Sequence, residues 1–136
     1  MIRVVLDTNV LVSGIFWSGA PSHILEAWHD CKIKLVTSPD ILQEYSRVTQ
    51  AISRKYKNID ISRIIELVTI LSDVYQPVKL DSAISRDPDD DKFIACALSA
   101  GCHIIVSGDK DLLDVGSYGE VKILSPSDFL KAYNLV

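Results

Sequence analysis

Four acidic residues in separate segments of this chain stand where carboxylates can do chemistry. Asp7 directly follows an apolar, β-branched run, and Asp109 follows a second run of this kind. In a parallel α/β sheet, ligands bind beyond the carboxyl ends of the strands, so both aspartates are expected at one edge. Aspartates also begin turns and cap helices, and either residue alone could have only that structural role.

The other two acids share helix faces with apolar residues. Glu44 lies on the same predicted face as Ile41 and Tyr45, and Asp90 is followed by apolar residues three, four and seven positions later. A carboxylate that faces a core is costly unless it is paired or bound to a metal. For Asp90 the alternative is an acid that only interacts with the dipole of its helix.

Together, the four carboxylates predict a metal site at the edge of the sheet. Converging acids repel one another, and no histidine or lysine is placed in the sequence to neutralise all of them. Oxygen-only ligands suit Mg²⁺ or Mn²⁺, and such ions activate water and stabilise charge on a phosphodiester during in-line displacement. The pattern therefore indicates nuclease chemistry.

The hydrophobic pattern predicts the elements that position these acids. Strands that alternate with helices of 10–15 residues indicate a parallel sheet covered on both faces. Strands are predicted over 2–6, 33–37, 102–107 and 121–124, with a weak signal at 77–80. Helices are predicted over about 21–31, 39–49, 62–74, 89–100 and 127–133, and Gly101 is the expected stop of the fourth.

Length and composition set limits on the class of protein. The 136 residues are 48% hydrophobic and 24% charged, which suits a single domain over 1–136. No apolar stretch approaches the ~20 residues of a membrane span, and the first residues do not resemble a signal peptide, so we expect a cytoplasmic protein. The net charge of -4 disfavours a protein that coats nucleic acid by bulk electrostatics.

Four motifs, in this order and spacing, resemble those of the PIN-domain nucleases, particularly the small prokaryotic VapC-like toxins of toxin–antitoxin systems. The motifs are VLDTNVL at 5–11, the helix that contains Glu44, DPDDDKF at 87–93 and VSGDKDLL at 106–113. The resemblance extends over the whole chain. It implies an α/β fold, a three-layer α/β/α sandwich around a parallel β-sheet, and a metal-dependent endoribonuclease that acts as a toxin.

The resemblance also assigns residues to the site by position. It places the catalytic and metal-binding carboxylates, with Mg²⁺ or Mn²⁺, on Asp7, Glu44, Asp90 and Asp109. Asn9 and Ser107 match polar positions that help to order the site. Asp91 adjoins Asp90 and could take its place, although the apolar face of the helix favours Asp90. Asp111 could contribute through a second metal or a salt bridge.

A basic segment follows the helix of Glu44 and could guide RNA to the site. Its cations lie beside Tyr56, an aromatic residue able to stack on an unpaired base: Arg47, Arg54, Lys55, Lys57 and Arg63. A solvated loop and helix face is an equally good interpretation. Phe16 and Trp17, in a predicted Gly14–Gly19 loop, could serve core packing, a partner surface or a dimer contact. The resemblance makes a cognate antitoxin and a homodimer further expectations.

Two other classes of function stay open from the sequence. Aspartyl phosphotransfer also uses a strand-end aspartate such as Asp7, but its phosphatase form needs a second aspartate where Asn9 stands. Its receiver form needs a lysine after a late strand, and Lys110 lies between two acids. The second class is a non-catalytic or RNA-processing PIN module, in which the carboxylates hold metal for stability or serve a different RNA.

Overall fold

The computed structural model describes residues 1–135, which form an α/β/α fold around a six-stranded sheet. The strands are β1 (Ile2–Leu6), β2 (Ile33–Thr37), β3 (Asp73–Val74), β4 (Ile104–Val106), β5 (Ser117–Tyr118) and β6 (Val121–Leu124). The helices are α1 (Thr8–Phe16), α2 (Ala20–His29), α3 (Pro39–Ser53), α4 (Ile61–Leu71), α5 (Asp91–Ala100), α6 (Lys110–Val115) and α7 (Pro126–Ala132), and a short 3₁₀ turn (Pro88–Asp90) precedes α5.

The sheet is parallel except at one edge. Its order is β3-β2-β1-β4-β6-β5, and only β5, which pairs with β6, is antiparallel. The central strands are apolar and almost fully buried, as in Val4–Leu6 of β1 and all of β4. This burial is typical of parallel strands covered by helices on both faces, and it explains why these strands are continuous apolar runs in the sequence.

Two contacts attach the helices of the site to the sheet. Tyr45 of α3 is fully buried, and its hydroxyl donates a hydrogen bond of 2.5 Å to the carbonyl oxygen of Leu6 at the end of β1. Helix α5 buries Phe93, Ile94 and Ala97 against the core and ends at Gly101, whose φ of 61° lies in the left-handed region that favours glycine. The predicted stop of this helix is confirmed.

The loop predicted over Gly14–Gly19 is wrong in its first half, because residues 14–16 belong to helix α1. This helix packs closely against α2. A Cβ atom on Gly14 would lie 2.7 Å from the carbonyl oxygen of Pro21 and 2.8 Å from the side chain of Leu25. The glycine that suggested a loop is therefore the residue that allows two helices to approach.

The predicted strand at 77–80 is also wrong, and the edge strand is instead β3, within a segment that the sequence assigned to a helix. Helix α4 ends at Leu71 because Ser72 has extended backbone angles. Pro77 has no N–H to donate to a ladder, and the N–H of Val78 donates to Ser99 Oγ at 2.6 Å instead of to a strand. Helix α6 and strand β5 were not predicted.

Within residues 1–135, no helix has the length and apolar character that a membrane span requires.

Candidate active site

Asp7 and Asp109 lie side by side beyond the carboxyl ends of β1 and β4. The two strands are parallel neighbours, with Leu6 opposite Val106, and the N–H of Asp7 donates to the carbonyl oxygen of Val106 at 2.9 Å. Ser107 joins the two acids. Its hydroxyl donates to Oδ2 of Asp7 at 2.7 Å and accepts from the backbone N–H of Asp109 at 2.9 Å.

Asp109 meets two further carboxylates at this edge. Oxygen atoms of Asp90, Asp109 and Asp111 all lie within 4.8 Å of one another. Asp109 caps helix α6 by accepting from the N–H of Asp111 at 3.0 Å, and Asp90 ends the 3₁₀ turn that precedes α5. Asp90 is only 9% exposed, and its Oδ2 has no hydrogen-bond partner among the described residues.

The electrostatics of this edge show an excess of negative charge. Burial raises the pKa of Asp7, and the charges of Asp109 and Glu44 add to the increase, while the hydrogen bond from Ser107 opposes it. Burial, together with the neighbouring Asp109, raises the pKa of Asp90 to about 7, and the charge of Asp7 contributes further. Asp7 and Asp90 are therefore harder to ionise, first because they are buried and further because other carboxylates are close.

A hard divalent cation fits this set of donors. The cluster of Asp90, Asp109 and Asp111 offers only carboxylate oxygens, which Mg²⁺ and Mn²⁺ prefer, and it includes a buried oxygen that no protein group satisfies. A cation there would offset the repulsion that raises the pKa of Asp90. Of the four acids expected at the site, the structure brings Asp7, Asp90 and Asp109 together and adds Asp111.

Glu44 lies beside this cluster and is held by other partners. Its Oε1 is 2.5 Å from Nζ of Lys92 and 3.8 Å from a guanidinium nitrogen of Arg47, and its Oε2 accepts from the hydroxyl of Thr8. The carboxylate is still close enough for its charge to raise the pKa of Asp7. Glu44 thus borders the acidic cluster but is not one of the three carboxylates whose oxygens converge.

Thr8 and Lys92 are site residues that were not predicted from the sequence. Lys92 is mostly buried, at 15% side-chain exposure, and also pairs with Asp89 at 3.3 Å. Burial lowers the pKa of Lys92, but the hydrogen bond and charge of Glu44 raise it overall. The sequence offered only their positions as a sign of this role, since Thr8 follows Asp7 and Lys92 lies two residues beyond Asp90.

The structure separates the roles of Asp90 and Asp91. The carboxylate of Asp91 accepts from the backbone N–H groups of Ser85 at 2.8 Å and Ile84 at 3.0 Å. Asp91 therefore holds the preceding loop against α5, while Asp90 is the acid that meets Asp109 and Asp111.

The remaining predicted residues lie around the cluster or away from it. The backbone N–H of Asn9 hydrogen-bonds Asp7 and opposes the rise in its pKa, but Asn9 itself is exposed. Arg47 reaches Glu44 from the next turn of α3. The other predicted RNA contacts are exposed beyond the end of α3, outside the acidic cluster: Arg54, Lys55 and Lys57.

Comparisons with known proteins agree with this architecture. A family model described as PIN domain matches residues 3–111. The crystal structure of PAE2754 from Pyrobaculum aerophilum has a TM-score of 0.62 to this chain at 18% sequence identity, covering 99% of this chain and 91% of that one. At that identity, the similarity shows the fold alone. No curated protein sequence matches the chain at a significant level.

Proposed function

This chain belongs to the PIN-domain family, whose members are generally nucleases, and from that premise we propose that it is a divalent-metal-dependent endoribonuclease. One observation carries the proposal. Asp90 is buried beside Asp109 and Asp111, and its Oδ2 has no partner within the described chain. A buried carboxylate in this position is costly unless a cation completes it.

Different residues of the chain would have different roles in hydrolysis. Asp90, Asp109 and Asp111 would hold Mg²⁺ or Mn²⁺, and Asp7, positioned by Ser107, adds negative charge beside them. A cation bound there supplies Lewis acidity and an activated water for in-line attack on a phosphodiester.

Glu44 has a supporting position in this proposal. Thr8 and Lys92 hold its carboxylate next to the acidic cluster. Arg47, on the same helix and largely exposed, offers positive charge to an approaching phosphate.

RNA is the substrate that we propose, with phosphate contacts from the exposed cations near and beyond the end of α3. Those cations are Arg47, Arg54, Lys55 and Lys57. Contacts to phosphates dominate the affinity of proteins for nucleic acids, so a local basic segment can serve a chain whose net charge is negative. Aspartyl phosphotransfer has no support from the family match.

The VapC-like subtype supports a more specific biological role. As a chain of that subtype, the protein would be the toxin of a toxin–antitoxin pair, would bind a cognate antitoxin, would form a homodimer and would act in the cytoplasm. An RNA-processing or non-catalytic PIN module is the alternative within the same family.

Cleavage of a mixed panel of single-stranded and structured RNAs in Mn²⁺, Mg²⁺ and EDTA tests the proposal. The wild type is compared with Asp7→Asn and Asp90→Asn, and Glu120→Gln serves as the control. Glu120 is 89% exposed and directly precedes β6. It therefore lies at the amino ends of the parallel strands, whereas the acids lie at their carboxyl ends. We expect metal-dependent cleavage by the wild type and the control, and none by the two site variants.

Two results would contradict this expectation. Equal cleavage by all four proteins would identify a contaminating nuclease. A rise in melting temperature with Mn²⁺, without cleavage of any RNA, would favour the non-catalytic module.

A further inference from the structure

Three aromatic rings form a cluster where helix α1 ends. The ring centroids of Phe16 and Tyr56 are 5.3 Å apart, and those of Trp17 and Tyr56 are 6.1 Å apart with the planes at 88°. The indole N–H of Trp17 donates to the hydroxyl of Tyr56 at 3.1 Å. Residues that lie 39 positions apart in the chain therefore hold one another in place at the surface.

The cluster leaves aromatic surface open to solvent. Trp17 is 48% exposed. Its N–H edge, rather than its face, is turned to Tyr56, because the two rings are perpendicular and joined by that hydrogen bond. The ring of Phe16 also lies against Trp17, with centroids 6.0 Å apart and planes at 54°, so the indole is held in one orientation while about half of the residue stays exposed. Exposed aromatic surface of this kind can stack on a nucleobase, and such stacking tolerates any base.

Positive charge borders this aromatic surface. Arg54 and Lys55 precede Tyr56, Lys57 follows it, and all three are exposed. Among residues 1–135, none of the three forms an ion pair with a carboxylate, and the nearby Asp60 caps α4 by accepting from the N–H of Arg63. The charge here is complementary to a phosphate backbone.

Helices α1 and α3 connect this surface to the acidic cluster. Helix α1 begins at Thr8, which contacts Glu44, and ends at Phe16, which contacts Tyr56 beyond the end of α3. Eight helical steps of 1.5 Å separate the two ends by about 12 Å. A strand with stacked bases rises about 3.4 Å per nucleotide, so roughly four nucleotides cover that distance.

We infer that Phe16, Trp17 and Tyr56, with Arg54, Lys55 and Lys57, bind single-stranded RNA a few nucleotides from the site of cleavage. One unpaired base stacks on Trp17 while the cations contact the adjoining phosphates. Bases inside a duplex have both faces covered by their neighbours, so this surface selects RNA with unpaired bases. The inference rests on the proposed nuclease function and adds to it a binding surface that lies outside the acidic cluster.

Fluorescence anisotropy with short labelled RNAs, one unpaired and one a hairpin duplex, tests this inference in EDTA, where binding is separated from metal-dependent cleavage. Trp17→Leu is expected to weaken binding of the unpaired RNA about tenfold and to leave binding of the duplex unchanged. Trp17→Phe retains a ring and should keep most of the affinity. Tyr118→Leu, at a site 42% exposed elsewhere, is the matched aromatic control.

A triple substitution tests the cations separately. Replacing Arg54, Lys55 and Lys57 by alanine should reduce the slope of log affinity against log salt by about 2, since each phosphate contact to a single strand contributes about 0.7. The matched control removes three exposed lysines that lie elsewhere: Lys79, Lys122 and Lys131. Thermal melting of each variant checks that the fold is retained.

Three results would overturn the inference: equal affinity of Trp17→Leu and wild type for unpaired RNA, equal loss of affinity for the duplex, or a change of molecular mass in light scattering without a change in RNA binding. The last would assign the surface to a second copy of the chain.

Cleavage measured in parallel with Mn²⁺ distinguishes the two proposals. Cleavage unaffected by Trp17→Leu would reject only the stacking surface, whereas stacking-dependent binding without cleavage would reject only the nuclease.

Discussion

The hydroxyl of Ser107 donates a 2.7 Å hydrogen bond to Oδ2 of Asp7, although 100 positions separate the two residues in the chain. The same hydroxyl accepts from the backbone N–H of Asp109. One buried serine therefore positions acids that follow two different strands. This arrangement depends on the pairing of β1 with β4, so the geometry of the site and the stability of the sheet are coupled.

Ser107→Ala should lower the free energy of unfolding by about 1–3 kcal/mol, because a buried carboxylate loses its donor. The pKa of Asp7 should rise further for the same reason. Denaturation in urea measures the change. Ser85→Ala is the matched control, since that serine is also buried but its hydroxyl has no partner among the described residues. A loss as large in the control would show that the hydrogen bond to Asp7 is not the cause.

Asp90→Asn should change how stability without metal depends on pH. The folded pKa of about 7 lies above the ordinary 3.8, so the folded state binds the proton more tightly. Stability of the wild type in EDTA should therefore fall as pH rises from about 4 to about 7. The variant lacks this contribution and should melt about 3–6 °C above the wild type at pH 8.

Calorimetric melting at pH 5 and pH 8, with EDTA or with Mn²⁺, measures both expectations for this variant. Mn²⁺ should raise the melting temperature of the wild type, and this increase should be lost or strongly reduced in Asp90→Asn. An undiminished response to Mn²⁺ would mean that Asp90 is not a ligand.

Several elements could be predicted because their signals are local. Strands β1, β2 and β6 have the predicted bounds, since each is an apolar run between turn residues. Asp7 and Asp109 could be expected at the same end of the sheet because both follow strands and the strands were predicted to be parallel. Helix α1 was missed because it contains Gly14 and β-branched residues of low helix propensity, and its stability comes from packing.

Other features could not be predicted because they depend on where side chains point across long separations. Lys92 reaches Glu44 from 48 positions away, and Trp17 reaches Tyr56 from 39. Neither pair has a spacing that a sequence pattern would detect. The sequence therefore indicated the basic segment beside Tyr56 and the pair Phe16 and Trp17 as separate features, whereas the fold makes them one surface.

Gly14→Ala should destabilise the protein by about 1–3 kcal/mol, because the added methyl group would lie 2.7 Å from backbone and push α1 away from α2. The same substitution in an exposed helix would normally stabilise it. Gly108→Ala is the control, since a Cβ there would have no neighbour within 4 Å. Chemical denaturation compares the two, and equal stabilities would contradict the close approach of the helices.

Asp91→Ala should reduce stability without removing the response to metal. The carboxylate accepts two backbone hydrogen bonds from residues 84 and 85, and their loss leaves two N–H groups without acceptors, at a cost of about 1–3 kcal/mol. Without metal, the melting temperature of Asp91→Ala should lie below that of the wild type, and Mn²⁺ should raise the melting temperature of both proteins by a similar amount. If the increase disappears in Asp91→Ala and persists in Asp90→Asn, the assignment of the two aspartates is reversed.

Lys92→Met should lower the free energy of unfolding far more than Arg47→Met, although both cations contact Glu44. Nζ of Lys92 lies 2.5 Å from the carboxylate in a pair that is only 15% and 13% exposed, whereas the Arg47 side chain is 74% exposed and lies at 3.8 Å. Removing one partner of a mostly buried pair leaves the other charge uncompensated, so we expect a loss of about 2–3 kcal/mol for Lys92→Met. For Arg47→Met the expected loss is below about 0.5 kcal/mol.

The double variant Lys92→Met with Glu44→Gln identifies the cause of this loss. Neutralising the carboxylate should restore part of the stability lost in Lys92→Met, because no buried charge then lacks a partner. Urea denaturation of the four proteins of this cycle measures the coupling, and RNA cleavage should stay low in both Lys92 variants if the lysine also positions Glu44. No recovery in the double variant would show that Lys92 acts through the packing of its aliphatic chain and not through the charge of Glu44.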